Sequence, residues 1–266
     1  MRLKNKVIII TGSSIGIGKA MAYEMCKEGA KVVLNARNPT RLDKTFQKMK
    51  AEGHEVAAIA GDVSNMEDCQ KIVDHTVQVF GQIDAVVNNA GISMEGSFDE
   101  LSPEVFRKVI EINYLGSIYP TKAALPYLKQ TKGSIIFIGS VAGIRGIPNH
   151  AAYSSSKMSL TAIAEALKIE LKQSEVHVGL AYVGFTENDL EKTIYNKDGK
   201  IIPQPKRDFI KAEPPQKVAL RIINMIHKRK FKEVFTPLGK LNAFINRFFP
   251  AVVEIILRRN YYKNKD

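Results

Sequence analysis

Tyr153 and Lys157 stand four residues apart, so on a helix their side chains share one face. A free phenol, with a pKa of about 10, is a poor proton carrier at neutral pH. A neighbouring ammonium favours the phenolate and draws that pKa toward the working range of a general acid–base. Such a pair can give a proton to a forming alkoxide or take one from an alcohol. A second chemical element lies near the N-terminus. Thr11-Gly12-Ser13-Ser14-Ile15-Gly16-Ile17-Gly18 follows the apolar run Val7-Ile8-Ile9-Ile10 and precedes a helical pattern. Three glycines at a strand-to-helix turn let the backbone bend tightly and approach a diphosphate closely. They also aim the helix N-terminal N–H groups at its charge.

These groups need a scaffold, and the hydrophobic pattern supplies one. Near-continuous apolar runs at 6–11, 31–36, 55–61, 85–89, 134–139 and 177–183 read as parallel strands covered on both faces. Helical patterns at 18–27, 40–52, 66–80, 103–130 and 153–174 alternate with them. Several of these end at a glycine, as at Gly29, Gly53 and Gly81. The rhythm predicts an α/β chain with one doubly wound Rossmann-type domain, whose parallel sheet places ligands at the strand C-termini. After Gly184 the rhythm breaks. Residues 187–215 are polar, carry Pro203, Pro205, Pro214 and Pro215, and are expected to form a substrate lid. A helix over 216–230 and a short strand near 233–236 follow. The expected division is a dinucleotide-binding and catalytic domain over 1–238 and a basic amphipathic extension over 239–266.

The glycine turn, with spacing T-G-x-x-x-G-x-G, resembles the cofactor motif of the short-chain dehydrogenase/reductase family, and the likeness runs over roughly residues 5–185. It implies that Gly12, Ser13, Ser14, Gly16, Ile17 and Gly18 hold the dinucleotide. Asp62-Val63 matches the family's adenine-contacting pair. Asn88-Asn89-Ala90-Gly91 matches its N-N-A-G element, placing Asn89, Ala90 and Gly91 beside the cofactor. Asn113, Ser140, Tyr153 and Lys157 match its catalytic tetrad. In that family the serine hydrogen-bonds the substrate oxygen, and the asparagine holds a water that links the lysine to solvent. The lysine also holds the nicotinamide ribose, beside Tyr153. Ser154, Ser155 and Ser156 rival Ser140 by composition only. The sixth strand departs from the family's Pro-Gly ending. Val183 takes the proline's place, and Asn188 the place of a threonine that holds the nicotinamide carboxamide. Gly184 and Thr186 are the candidates for that contact.

The cofactor type turns on the end of the second strand. An enzyme for NAD(H) usually has a carboxylate there, accepting from the ribose hydroxyls. Here Ala36 stands in that place and Arg37 follows it. A guanidinium can hold a 2′-phosphate through charge-assisted hydrogen bonds. NADP(H) is therefore favoured over NAD(H), although Ile15 stands where many NADP-dependent relatives carry a second basic residue. The expected activity is hydride transfer between the nicotinamide and a carbonyl or secondary alcohol of a fairly apolar substrate, of steroid, lipid or acyl type. The alternatives are a 3-oxoacyl-carrier-protein reductase and a non-catalytic dinucleotide-binding sensor. A homo-oligomer, dimer or tetramer, is expected, and no metal site is.

Composition bounds the rest. A chain of 266 residues suits one large α/β domain. Cys26 and Cys69 cannot build a disulfide framework and read as buried or half-buried thiols of a reducing compartment. No secretory leader is expected ahead of the first strand, and a cytoplasmic location follows. The net charge of +12 is uneven: residues 217–266 hold twelve Lys or Arg against three Asp or Glu. In the last thirty residues Leu241, Phe244, Ile245, Phe248, Val252, Ile255 and Ile256 recur at helical spacing near Lys240, Arg247, Arg258 and Arg259, with Pro250 breaking the pattern. This segment could lie on a membrane surface, cap the substrate cleft, form a subunit interface, dock an acidic carrier, or fold onto its own domain. No nucleic-acid motif accompanies the charge, so nucleic acid is not an expected partner.

Overall fold

The six apolar runs fold as strands in a computed structural model that describes residues 1–187, 189, 191–205 and 212–263. They are β1 (Val7–Thr11), β2 (Lys31–Ala36), β3 (Val56–Ala60), β4 (Ala85–Asn88), β5 (Ser134–Ser140) and β6 (His177–Val183). The helices between them are α1 (Gly16–Lys27), α2 (Pro39–Ala51), α3 (Met66–Phe80), α4 (Pro103–Ile110), α5 (Gly116–Thr131) and α6 (Ala151–Glu170). A hairpin of β7 (Thr193–Tyr195) and β8 (Ile201–Pro203) follows, then α7 (Pro215–His227) and β9 (Lys232–Val234). The main sheet is parallel, with strand order β3-β2-β1-β4-β5-β6-β9. The chain winds outward from β1 to β3, returns to the other side of β1 with β4, and so opens a crevice at the C-terminal ends of β1 and β4. Both faces of the sheet are covered. Ile8, Ile10, Val32 and Leu34 pack with α1 and α7 residues such as Met21, Met25, Val218 and Ile222. Ile9, Val33, Val86 and Phe137 pack with Cys69, Ile72, Ala124 and Leu160 of α3, α5 and α6. Burial on both faces is why these strands read as continuous apolar runs instead of alternating ones.

Two features depart from the sequence pattern. The pattern over 103–130 predicts one helix, but a π-helical turn, Glu111–Leu115, divides α4 from α5. It holds Asn113, whose buried amide pairs with the Ile92 backbone, as described below. The expected lid contains a hairpin. Ile194 is buried, and the Tyr195 backbone bonds both Ser93 O and Glu95 N–H, which ties β7 to the segment after β4. Strands of three residues are too short to show alternation. Positions 188, 190 and 206–211 of that expected lid lie outside the described residues, as do 264–266 of the extension. That extension begins at Pro237 and forms α8 (Pro237–Phe248) and α9 (Pro250–Lys263), divided at Pro250 as the proline requires.

Candidate active site

The catalytic candidates converge at the C-terminal ends of β4 and β5. Tyr153 and Lys157 sit in the first two turns of α6, with the Lys157 ammonium 6.0 Å from the Tyr153 ring centroid. Lys157 Nζ donates to Ile138 O at 2.9 Å, which pins α6 to β5 two residues before Ser140. The turn after Ser140 packs on the same helix so closely that a Cβ on Gly143 would lie 2.7 Å from Lys157 O. Ser140 ends β5, and its hydroxyl accepts from Ala142 N–H at 3.2 Å, which leaves its own proton to donate. Asn113 is brought in from the opposite side. Its Oδ1 accepts from Ile92 N–H at 2.8 Å and its Nδ2 donates to Ile92 O at 2.9 Å. The widened π turn lets a helical side chain mimic a strand partner for Ile92. Gly91 lies between: a Cβ there would be 3.2 Å from Asn113 Oδ1 and 3.4 Å from Lys157 Nζ.

Burial sets the charge of Lys157. The side chain is 5% exposed, and desolvation, with a smaller repulsion from Lys192, pushes its ammonium down to about 8. An unfolded lysine keeps its proton to about 10.5. Between these values the unfolded chain binds more protons than the native one, so stability rises with pH across that window. Below it the buried charge costs about 3 kcal/mol. The bond to Ile138 O returns about 1 kcal/mol of that. Lys157→Met keeps the aliphatic stem and removes the charge. It is expected to raise stability by about 2 kcal/mol at pH 7, an advantage that fades toward pH 10. Urea unfolding of both proteins at the two pH values checks this, and equal stability at pH 7 would show that the ammonium is not desolvated.

At the other end of the crevice the glycine turn is built as an anion cradle. Gly12 adopts φ +63°, and a Cβ there would strike Ala90 Cα at 2.8 Å. A Cβ on Gly18 would reach 2.2 Å from Gly12 O, so α1 can approach the turn only with glycine. Gly16, at φ +57°, faces open space. Its N–H donates to Asp189 Oδ2 at 2.9 Å. A carboxylate at the N-terminus of α1 is a stand-in for the anion such a cradle takes, and the donor set therefore fits a dinucleotide diphosphate. Two guanidinium groups lie beyond the end of β2 and on α2. Arg37 extends from the end of β2, half exposed, with Nη1 3.7 Å from Asp62 Oδ2. Arg41 Nε, on α2, lies 2.9 Å from Glu191 Oε2.

Several expected cofactor residues have structural duties here. Ser13 is buried and exchanges bonds with the Asn35 backbone, its Oγ accepting from Asn35 N–H at 3.0 Å. Ser14 is buried and its carbonyl accepts from Thr45 Oγ1 at 3.0 Å. Ile17 packs on the core beneath α1. Val63 is buried against Gly116, where a Cβ would come within 2.6 Å of it. Asn89 Nδ2 donates to Thr11 O and Gly12 O at 2.9 and 3.0 Å, and Ala90 N–H donates to Thr11 Oγ1 at 3.0 Å. Gly184 makes room for Thr236, and Thr186 Oγ1 donates to Gly184 O at 3.4 Å. The contact expected of Asn188 lies outside the described residues.

Three residues outside the expected site residues hold this arrangement. Ser156, set aside above as a matter of composition, accepts from Asn113 Nδ2 at 2.9 Å and donates to Tyr153 O at 2.7 Å. It therefore links two tetrad positions. Its place at i+3 from Tyr153 was the available signal. Thr11 Oγ1 locks the end of β4 to β1. Asn35 Nδ2 donates to Ile59 O and Gly61 O, both at 3.2 Å, joining the end of β2 to β3 and the segment after it. Thr11 opens the glycine motif quoted above, whereas Asn35 has no sequence signal, because its partners lie 24 and 26 residues away.

Comparison with known proteins agrees with this architecture. The family model described as short chain dehydrogenase matches residues 6–199. The Arabidopsis thaliana protein named 11-beta-hydroxysteroid dehydrogenase-like 4A is 40% identical over 189 residues, covering 70% of this chain. The matched stretch spans 63% of that relative's length. The Sesamum indicum protein named 11-beta-hydroxysteroid dehydrogenase A is 33% identical over 263 residues, which cover 96% of this chain and 75% of the relative. A Burkholderia phymatum short chain dehydrogenase/reductase, solved with NAD, shares the fold at a TM-score of 0.82 and 24% identity, over 93% of this chain and 94% of its own. An alcohol dehydrogenase from the archaeon Thermococcus sibiricus, solved with 5-hydroxy-NADP, gives 0.74 and 30%, over 86% and 95%. With the family model matched across the whole crevice, from the first strand through the Tyr153–Lys157 helix to the hairpin, the chain belongs to the short-chain dehydrogenase family.

Proposed function

We propose that this chain is an NADP(H)-dependent oxidoreductase that interconverts a carbonyl and a secondary alcohol on a fairly apolar substrate. The observation that carries the reading is the meeting of Tyr153, Lys157, Ser140 and Asn113 at one strand edge beside the Gly16 cradle. Bound nicotinamide dinucleotide supplies or accepts the hydride. Gly16 and its neighbouring N–H groups hold the diphosphate, Arg37 and Arg41 hold the 2′-phosphate, and Lys157 holds the nicotinamide ribose. Tyr153 gives a proton to the substrate oxygen in reduction and removes it in oxidation. The Ser140 hydroxyl donates to the same oxygen and stabilises its developing charge. Lys157 favours the phenolate of Tyr153 electrostatically, and Asn113 fixes the loop after β4 that borders the ammonium. The names of the relatives support a hydroxysteroid or similarly apolar ring alcohol as substrate class. A turnover screen with NADPH, covering ketosteroids, simple ketones and 3-oxoacyl thioesters, tests this. Turnover confined to the thioesters would replace the apolar-ketone reading with an acyl one, and no turnover on any carbonyl would remove the enzymatic one.

Asp189 supplies a separate test of the cradle. A carboxylate on Gly16 N–H must leave before a diphosphate can bind. Asp189→Asn keeps the size of the side chain and removes the charge, and is expected to tighten NADPH binding by about 1 kcal/mol, roughly fivefold in Kd. Fluorescence titration reads this directly. Unchanged affinity would place the diphosphate elsewhere.

A further inference from the structure

Single exposed apolar side chains are ordinary on a protein surface, and a contiguous patch is not. Leu241, Phe244 and Phe248 recur along one face of α8, and Val252, Ile255 and Ile256 along one face of α9. Each is 46–58% exposed, and Phe249 at the corner between the helices is as open. This is not a loosely held tail. Gly239 packs so tightly that a Cβ would lie 2.8 Å from Val141 Cγ1, and Val253 is buried. Arg145 Nη1 donates to Asn246 Oδ1 at 3.1 Å, and Asn246 Nδ2 donates to Ile144 O at 3.3 Å. The pair is thus fixed to the loop that follows Ser140, with an apolar face turned outward.

The charges on the pair identify its occupant. Residues 237–263 carry Lys240, Arg247, Arg258, Arg259 and Lys263 against one carboxylate, Glu254, which itself lies 3.7 Å from Arg145 Nη2. We infer that the outer face of α8 and α9 docks on the surface of an anionic lipid bilayer, apolar side chains inserted and basic ones among the headgroups. A second copy of the chain would oppose this positive face with another of the same sign. Among the described residues no helix is long and apolar enough to cross a membrane, so the pair lies in the plane of the surface. Docked in this way, the loop after Ser140 sits against the bilayer, and an apolar substrate dissolved there reaches the cleft without crossing water. That last step rests on the proposed activity, whereas the docking does not.

Flotation of the full-length protein tests the docking without turnover. It is expected to bind vesicles of phosphatidylcholine with phosphatidylglycerol, to bind pure phosphatidylcholine far less, and to be released by high salt. Arg258→Ala with Arg259→Ala should lower partitioning on the order of twentyfold, at about fivefold per basic residue. Phe244→Ser with Phe248→Ser should abolish it, with the wild-type melting temperature kept. If the phenylalanine pair unfolds the protein, the arginine pair, which is solvent-exposed on α9, still decides the matter. Equal binding to both vesicles, binding to neither, or binding to poly-glutamate in place of vesicles would overturn the proposal. So would a wild-type dimer that the phenylalanine substitutions split.

Discussion

Tyr153→Phe is expected to lower kcat by about a thousandfold while changing the Kd for NADPH by no more than a few-fold. A positioned general acid–base contributes on the order of 10²–10⁴, and the substitution removes only the group that moves the proton. The ring itself has a packing role, resting against the cluster of Met94, Leu101, Val105 and Val109. Phenylalanine preserves those contacts, so the melting temperature should stay within a degree or two. The Lys157 ammonium should also keep its place, since Ile138 O holds it. Loss of kcat with an unchanged melting temperature and an unchanged cofactor titration is therefore the expected pattern. A variant that keeps more than a tenth of the wild-type kcat would remove Tyr153 from the chemistry. A loss of cofactor affinity equal to the loss of turnover would make it a binding residue instead.

How much of this site could be read from the sequence depends on the distance over which each interaction acts. β1 to β6 were legible because a parallel strand buried on both faces must be apolar at nearly every position, as Val7–Ile10 and Val32–Leu34 are. The glycine turn was legible because Gly12 and Gly18 meet steric limits that no other residue satisfies. The spacing of Tyr153 and Lys157 was legible as a shared helix face. What could not be read was set by contacts between distant segments. Asn113 lies in a π turn and its side chain pairs with the backbone of Ile92, 21 residues earlier. Ser156 joins Asn113 across 43 residues. The β7–β8 hairpin exists because Tyr195 finds Ser93 and Glu95, which its own polar neighbourhood does not announce. Asp189 reaches Gly16 across 173 residues, a contact that no local pattern encodes.

Cofactor preference should follow the end of β2, and the wild type is expected to use NADPH with a kcat/KM well above that for NADH. Arg37 is half exposed, and its ion pair with Asp62 is long at 3.7 Å. A pair of that kind is worth about 0–1 kcal/mol, so the guanidinium is readily drawn to a phosphate that offers charge-assisted, bidentate bonds. Losing such a set costs roughly 1.5–3 kcal/mol, on the order of tenfold to a hundredfold in kcat/KM. Arg37→Ala should show that loss with NADPH and leave NADH nearly unaffected. Adding Ala36→Asp should complete the reversal, because a carboxylate there accepts from the ribose hydroxyls and repels a 2′-phosphate. Ala36 is 8% exposed and lies in the core cluster beside α2, so the aspartate has to turn its carboxylate outward and should lower the melting temperature. The single variant isolates the phosphate contact from that stability cost. Parallel kinetics with the two cofactors read both effects. A wild type that uses NADH as well as NADPH, or an Arg37→Ala variant that loses equally with both, would assign Arg37 to the ion pair with Asp62 and not to the cofactor.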